Sequence, residues 1–385
     1  MSTRLPLLLL FLSSTKQILL LYCLNTASYR CVQIRAVQYH VLHNTLGYQT
    51  GHMFAIDINK SPLGLFTFFV TVSAIKLTAL GWLRKKRGEM FECVGRVHAL
   101  YTFPIKSCGA IECQEAEATG LGFSYRGLLD RHLMVIKGRY MLNMKTETRM
   151  TLISTTPLGG GDLRLDAPDM PSLMLHTADF TNIISCRIYG VNMDVIDCGD
   201  EAASWLNTFL GYDNLRLVHS PEHLTKRDAA DKVFSWTNNT REGDMTAFNY
   251  LTSYMMTSAS SLHDLNQRLD CPVSMLNFRP NIAIEGTPPF DEDKWLEIKI
   301  GDSVMMRVAD VCRRCPITTV DPATGIRDSD RQPLKKLKTY RCVPPYGTAP
   351  VFGVYCALEK GGRVQVGDSV SVLRGTRNAH QALSL

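Results

Sequence analysis

The sequence carries no large excess of either charge. Its 42 Lys and Arg against 36 Asp and Glu leave a net charge of +6. No dense Lys/Arg face is interleaved with aromatics, so nothing points to a nucleic-acid partner. Cysteine is too sparse for a disulfide scaffold, with 12 in 385 residues. Their scatter suits mostly buried thiols in a reducing compartment. The sequon Asn238-Asn239-Thr240 matters only in a secreted chain and is expected to be unused. The chain also lacks a Walker A loop, a dinucleotide glycine fingerprint, an HExxH helix, a G-x-S-x-G elbow and a CxxCH haem site. A nucleotide- or NAD-binding enzyme is therefore not supported, while a flavin site stays open. With 45% hydrophobic and 20% charged residues, composition is that of a globular protein, not a disordered, collagen-like or coiled-coil one. The length predicts two or three domains.

The first ninety residues read differently from the rest. Apolar runs at 5–12 and 18–24 are each shorter than the roughly 20 residues needed to span a bilayer. Arg4 precedes the first run, but no clean small-residue cleavage site follows it. Residues 62–83 are a better candidate: 22 residues with one charge, Lys76. At about 1.5 Å per residue they reach roughly 33 Å, enough to cross. Lys76 can snorkel toward the interface marked by Trp82. Arg84-Lys85-Lys86-Arg87 follows at once and predicts a cytosolic C-terminal side. Residues 1–61 are an unassigned extension, and Met53 is a candidate alternative start.

From Cys93 onward strand signals dominate. Residues 95–101 (GRVHALY) alternate apolar and polar. Residues 152–154 and 163–165 flank Pro157 and three glycines, which reads as a hairpin. A second hairpin is expected around Gly301-Asp302, and a third from 363–366 and 370–373 around Gly367-Asp368. Helices are expected at 200–210, with Gly211 as its stop, and at 258–269, with Ser258 as its cap. The fold class is mostly β (α+β), a barrel with decorations.

Four stretches carry candidate chemistry. In VCRRCPITTVDPAT, Cys312 and Cys315 form a CxxC. Four readings compete. A zinc site needs two more ligands, and Cys342 and Cys356 are isolated. A redox pair usually opens a helix, whereas these flanks are β-like. One thiolate can be a functional ligand or nucleophile, favoured by Arg313 and Arg314. The last reading is a buried structural cysteine. FPIKS places Lys106 and Ser107 at a strand exit, where they suit an oxyanion or simply face solvent. Arg279 in NFRPN sits between Phe278 and Pro280, stiffened either to grip an anion or for a structural salt bridge. Arg131 follows Asp130 just before an apolar run and is a further anion candidate. Three basic groups and one activated thiol suggest an anionic cofactor with a soft metal at cysteine.

In this order, YTFPIKS, LNFRPNIAI, CRRCPITTVDPATG and PVFGVYCALEKGGRVQVGDSV resemble the MOSC family, specifically the mitochondrial amidoxime-reducing components, from about Val94 to Leu373. The resemblance implies a membrane anchor at 62–83, a MOSC N-terminal β-barrel region at 93–215 and a MOSC domain at 216–375. It implies a molybdenum cofactor (molybdenum-molybdopterin) with Cys315 as the metal ligand. Lys106, Ser107, Arg131 and Arg279 match positions around the pterin phosphate, and Tyr355 in FGVY matches a residue near the cofactor. Arg313, Arg314 and, in the loop FNYLTSY, Thr252 and Ser253 complete the expected set. The implied reaction reduces small N-hydroxylated compounds such as amidoximes and hydroxylamines. Electrons would come from NADH through cytochrome b5 reductase and a b5-type cytochrome. The family's arrangement implies the mitochondrial outer membrane, with the catalytic domain facing the cytosol. The alternative is a MOSC-type sulfur carrier, or a protein of molybdenum-cofactor sulfuration, with a persulfide on Cys315. Arg313 departs from the family pattern, which carries a small polar residue there.

Overall fold

The structure, a computed structural model, describes residues 90–231 and 238–375, and in the first 57 residues only the backbone of four strands. Those strands, Leu8–Leu12, Gln17–Leu24, Gln33–His40 and Ala55–Asp57, pair in that order into one antiparallel sheet. They belong to a unit ending at Met90, separate from the body Phe91–Leu385. The anchor expected at 62–83 and its basic edge at 84–87 lie outside the described residues. Among the described residues, no helix is long and apolar enough to cross a membrane.

The body is mostly β and holds two closed barrels. In the larger, the strands run in the order Ile282–Glu285, Tyr254–Ser258, Val351–Lys360, Val304–Arg313, Trp295–Ile300, Ser369–Arg374 and Glu92–Thr102. Ile282–Glu285 also pairs with Glu92–Thr102, which closes the ring. Its interior is packed with Val97, Leu100, Tyr254, Ile282, Trp295 and Ile298, each at most 1% exposed. Every buried aliphatic side chain of this kind contributes roughly 1.5–3 kcal/mol.

The smaller barrel closes from Leu133–Lys137, Tyr140–Met141, Ile183–Ile188, Val191–Asp197 and Leu215–His219. The helix Gly199–Leu210 packs on its last strand through Ala202, Trp205, Leu206 and Leu210. It stops where Gly211 turns left-handed (φ 73) and donates its N–H to Asn207 O. The chain therefore enters the larger barrel first, leaves to build the smaller one, and returns.

The hairpins expected around Pro157 and Gly301-Asp302 form as antiparallel pairs. The third does not. Gly362–Gln365 pairs with Glu115–Thr119, whereas Ser369–Arg374 joins the larger barrel. Gly367 and Asp368 exchange backbone hydrogen bonds with Val97, at 2.8 Å each way, and so pass the chain between sheets. The second helix is also shorter than expected, at Ala259–Asn266. Ser258 caps it, but the Asn266 amide bonds both the N–H and the C=O of Val273 at 2.9 Å, turning the chain back before Leu269.

Candidate functional site

Strand Val304–Arg313 of the larger barrel delivers the cysteine motif. Cys312, next to its last residue, is a buried side chain, 3% exposed. Beyond it Cys315 caps a 3-10 turn, Pro316–Thr319, and is half-buried at a cavity of about 1260 Å³. Two polar side chains hold this loop. The Arg314 guanidinium donates to Phe352 O (2.6 and 2.8 Å) and Phe278 O (2.9 Å), and forms no ion pair among the described residues. Its Nη2 also donates to Met255 Sδ at 3.4 Å, so all its hydrogen-bond partners among the described residues are neutral. Asn277 Nδ2 donates to Thr318 O and Val320 O, both at 3.1 Å, tying NFRP to the cysteine loop.

The cationic floor comes from the junction of the barrels. Lys106 N–H donates to Leu133 O at 2.8 Å, stitching the FPIKS loop to the smaller barrel. Lys106 Nζ donates to Phe248 O at 2.6 Å and lies 4.9 Å from the Tyr189 ring. Arg131 donates to the buried Asp130 (2.5 Å), Asn281 Oδ1 (3.2 Å) and Arg279 O (3.0 Å). Arg131 and Arg279 both pack against Phe103, at 4.5 and 4.2 Å. Arg279 donates no side-chain hydrogen bond among the described residues, and its Nη2 is buried without a partner. Burial first, and the Arg131 charge second, pull its pKa down to about 9. Two guanidiniums on one ring, one of them unpaired, favour an incoming anion.

Backbone conformation marks the same place. Eight non-glycine residues described here have positive φ, and five of them line this cavity: Ser107, Arg131, Tyr189, Arg279 and Arg331. Such conformations cost about 1–3 kcal/mol each and gather where a site demands a particular side-chain direction.

Of the residues expected from sequence, Lys106, Ser107, Arg131, Thr252, Arg279, Arg313, Arg314, Cys315 and Tyr355 all line this cavity. Ser253 does not. Its hydroxyl donates to Gly120 O and Met245 O, at 3.1 Å each, and faces a small separate cavity. Arg313 is exposed at the strand end. The Tyr355 hydroxyl bonds the Cys312 thiol, and burial pushes the pKa of both groups up, so both stay protonated at neutral pH.

Sequence reasoning missed the row of aromatic rings. Tyr189 and Tyr250 lie 5.2 Å apart, and Tyr250 and Tyr355 6.1 Å. Tyr189-Gly190 is the two-residue turn joining Ile183–Ile188 to Val191–Asp197, with φ of 50 and 91. The Tyr-Gly pair between two apolar runs was the available signal. Asn249 was also missed; its Oδ1 is buried and unpartnered beside the cavity.

This donor set fits an anionic heterocycle that brings a metal with it. Among the described residues no three His, Cys, Asp or Glu side chains gather to hold a metal ion. A metal at Cys315 would therefore take most of its ligands from a bound group, and a four-ligand zinc site has no place there. Arg279 offers an unpaired donor to a phosphate, Asn249 an unpaired acceptor to a ring N–H, and the tyrosines apolar ring surface.

The arrangement is that of MOSC-domain proteins. Profiles of the MOSC N-terminal beta barrel domain and of the MOSC domain match residues 94–213 and 247–371. The chain is 38% identical to mitochondrial amidoxime-reducing component 1 of Mus musculus, over 78% of this chain and 90% of that one. It is 37% identical to the Homo sapiens component 1, over 83% and 96%. Component 2 of Bos taurus is 37% identical, over 75% and 87%. The chain belongs to the MOSC family, in its branch of mitochondrial amidoxime-reducing components.

Proposed function

We propose that this chain is a molybdenum-cofactor-dependent reductase of small N-hydroxylated compounds, amidoximes and hydroxylamines among them. Electrons would reach it from NADH through cytochrome b5 reductase and a b5-type cytochrome. The anchor at 62–83 would hold the body on the cytosolic face of the mitochondrial outer membrane, in keeping with relatives named as mitochondrial components. The observation that carries the reading is Arg279, a deep guanidinium with an unpaired Nη2 in the cavity onto which Cys315 opens.

When bound, the cofactor supplies two-electron oxygen-transfer chemistry at molybdenum. The chain's own residues bind and orient. Cys315 provides the thiolate ligand, on a loop clamped by Arg314 and Asn277. Lys106, Arg131 and Arg279 hold the phosphate, and Tyr355 and Thr252 wall the pterin. The Tyr355 hydroxyl bonds Cys312 Sγ, and burial, which outweighs that hydrogen bond, holds the Cys312 thiol pKa up. The test is turnover of benzamidoxime by the full chain loaded with cofactor, with the reconstituted cytochrome chain as donor. Benzamidine should form, and Cys315→Ala should abolish it. A molybdenum-loaded chain that reduces no N-hydroxylated compound would overturn the reading.

A further inference from the structure

The cavity is larger than one bound heterocycle needs. Ligand sites commonly run to roughly 300–1,000 Å³, against about 1260 Å³ here. Its floor cations, Lys106, Arg131, Arg279 and Arg314, are buried or half-buried. The outer wall carries a second set: Lys145, Arg313, Arg327, Arg331, Lys335 and Lys338. All but Arg327 are exposed. Lys145, Arg331, Lys335 and Lys338 form no ion pair among the described residues, and Arg327 donates only to carbonyls and a hydroxyl.

Two acids stand against these cations on the wall, Asp310 and Asp330. Asp310 is buried and accepts from the Tyr346 hydroxyl and Val311 N–H, both at 2.8 Å, which leaves Asp330 alone as an exposed countercharge. The outer cations are fixed to the cysteine loop. Arg327 Nη1 donates to Pro316 O at 3.0 Å, and its Nη2 donates to Lys145 O at 2.8 Å. The helix Leu334–Lys338 packs on the turn Pro316–Thr319, presenting Lys335 and Lys338 to the cavity.

We propose that this outer wall selects N-hydroxylated substrates that carry an anionic group, such as a carboxylate, away from the N–O bond. The inference rests on the reductase reading and names its substrate class. The charges line the same concave cavity as Cys315, which a small molecule can enter and a folded protein cannot fill. Each exposed charge attracts a mobile anion only weakly, so two or three acting together give roughly five- to tenfold selectivity at low salt.

The test uses the full chain, three probes and two readouts. The probes are benzamidoxime, 4-carboxybenzamidoxime and 4-(aminomethyl)benzamidoxime. Binding is measured by calorimetry, and turnover with dithionite in place of the cytochrome. Wild type should bind and reduce the carboxylate about fivefold or more better than the ammonium compound, and 0.5 M salt should shrink the difference. In K335E/K338E, two exposed positions, the carboxylate-to-neutral ratio should fall about tenfold. A wild-type ratio near one, or a ratio that K335E/K338E leaves unmoved, overturns the inference. So does a variant that slows all three probes alike with the cytochrome but none with dithionite, because the patch would then dock the electron donor. If no probe is reduced the reductase reading fails, yet the calorimetric preference for the carboxylate still decides the inference.

Discussion

Arg279→Met separates what this chain needs for folding from what it needs for its ligand. The guanidinium is held at a pKa near 9 by burial and by Arg131, with Nη2 lacking any partner. A drop of that size from the ordinary arginine range corresponds to about 5 kcal/mol of penalty at neutral pH. The side chain also opens on the cavity, so water screens part of this and about 2–3 kcal/mol is expected to remain. Methionine fills a similar volume without charge and still covers the Phe103 ring. The ligand-free variant should therefore be more stable than ligand-free wild type. At roughly 2–4 °C per kcal/mol for a body of this size, its Tm should rise by about 5–10 °C. The ligand should then reverse the order. Cofactor stabilises wild type by mass action, while the variant, missing a charge-assisted bond to phosphate, should bind about a hundredfold or more weakly. Thermal melts of both proteins, with and without cofactor, give all four values. A ligand-free variant less stable than wild type, or equal cofactor retention, would refute the reasoning.

Gly353→Ala tests the approach of two strands behind the site. A Cβ there would lie 2.5 Å from both Met256 O and Met255 Cε, at a backbone φ of +71, so the substitution should cost about 2 kcal/mol or more in denaturant melts. Glu292 tests a buried charge in the larger barrel. Burial raises its pKa to about 7, although the hydroxyls of Ser261 and Ser258 donate to it at 2.9 and 3.3 Å. The folded state holds the proton more tightly than the unfolded chain. Its contribution is therefore complete below about pH 4.3 and is lost as pH rises through 7, up to roughly 3 kcal/mol by pH 8. Glu292→Gln should remove that slope, so its stability relative to wild type should climb between pH 5 and pH 8. A flat difference would contradict the assigned cause. Benzamidoxime turnover should vanish in Cys315→Ala, as read by benzamidine formation.

The parts of the site legible in the sequence were those carried by short motifs. FPIKS, NFRP and CRRC each fix a residue type next to a turn, so Lys106, Arg279 and Cys315 could be singled out without knowing the barrels. What brings them together is long-range: the FPIKS loop on strand Leu133–Lys137, and Asn277 on the cysteine loop. Tyr189 escaped because its turn carries no chemistry in sequence; only the fold aims it at the cavity. The turn at Gly367-Asp368 looked local, but Val97, some 270 residues earlier, takes its hydrogen bonds. Ser253 shows the converse: it neighbours the cavity residue Thr252, yet its hydroxyl is taken by Gly120 O and Met245 O, partners far away in sequence or set by the fold. The outer cations around Lys335 belong to no motif, and their shared wall exists only once helix Leu334–Lys338 has packed on the cysteine turn.

The central claim is that Cys315 and the cationic floor hold a molybdenum cofactor. Elemental analysis of the full chain, expressed in a host that makes the cofactor, tests it most directly, with wild type beside Cys315→Ala. The account predicts close to one molybdenum per wild-type chain, and loss of metal or a changed metal environment in the folded variant. A well-folded wild type with neither molybdenum nor pterin would contradict it.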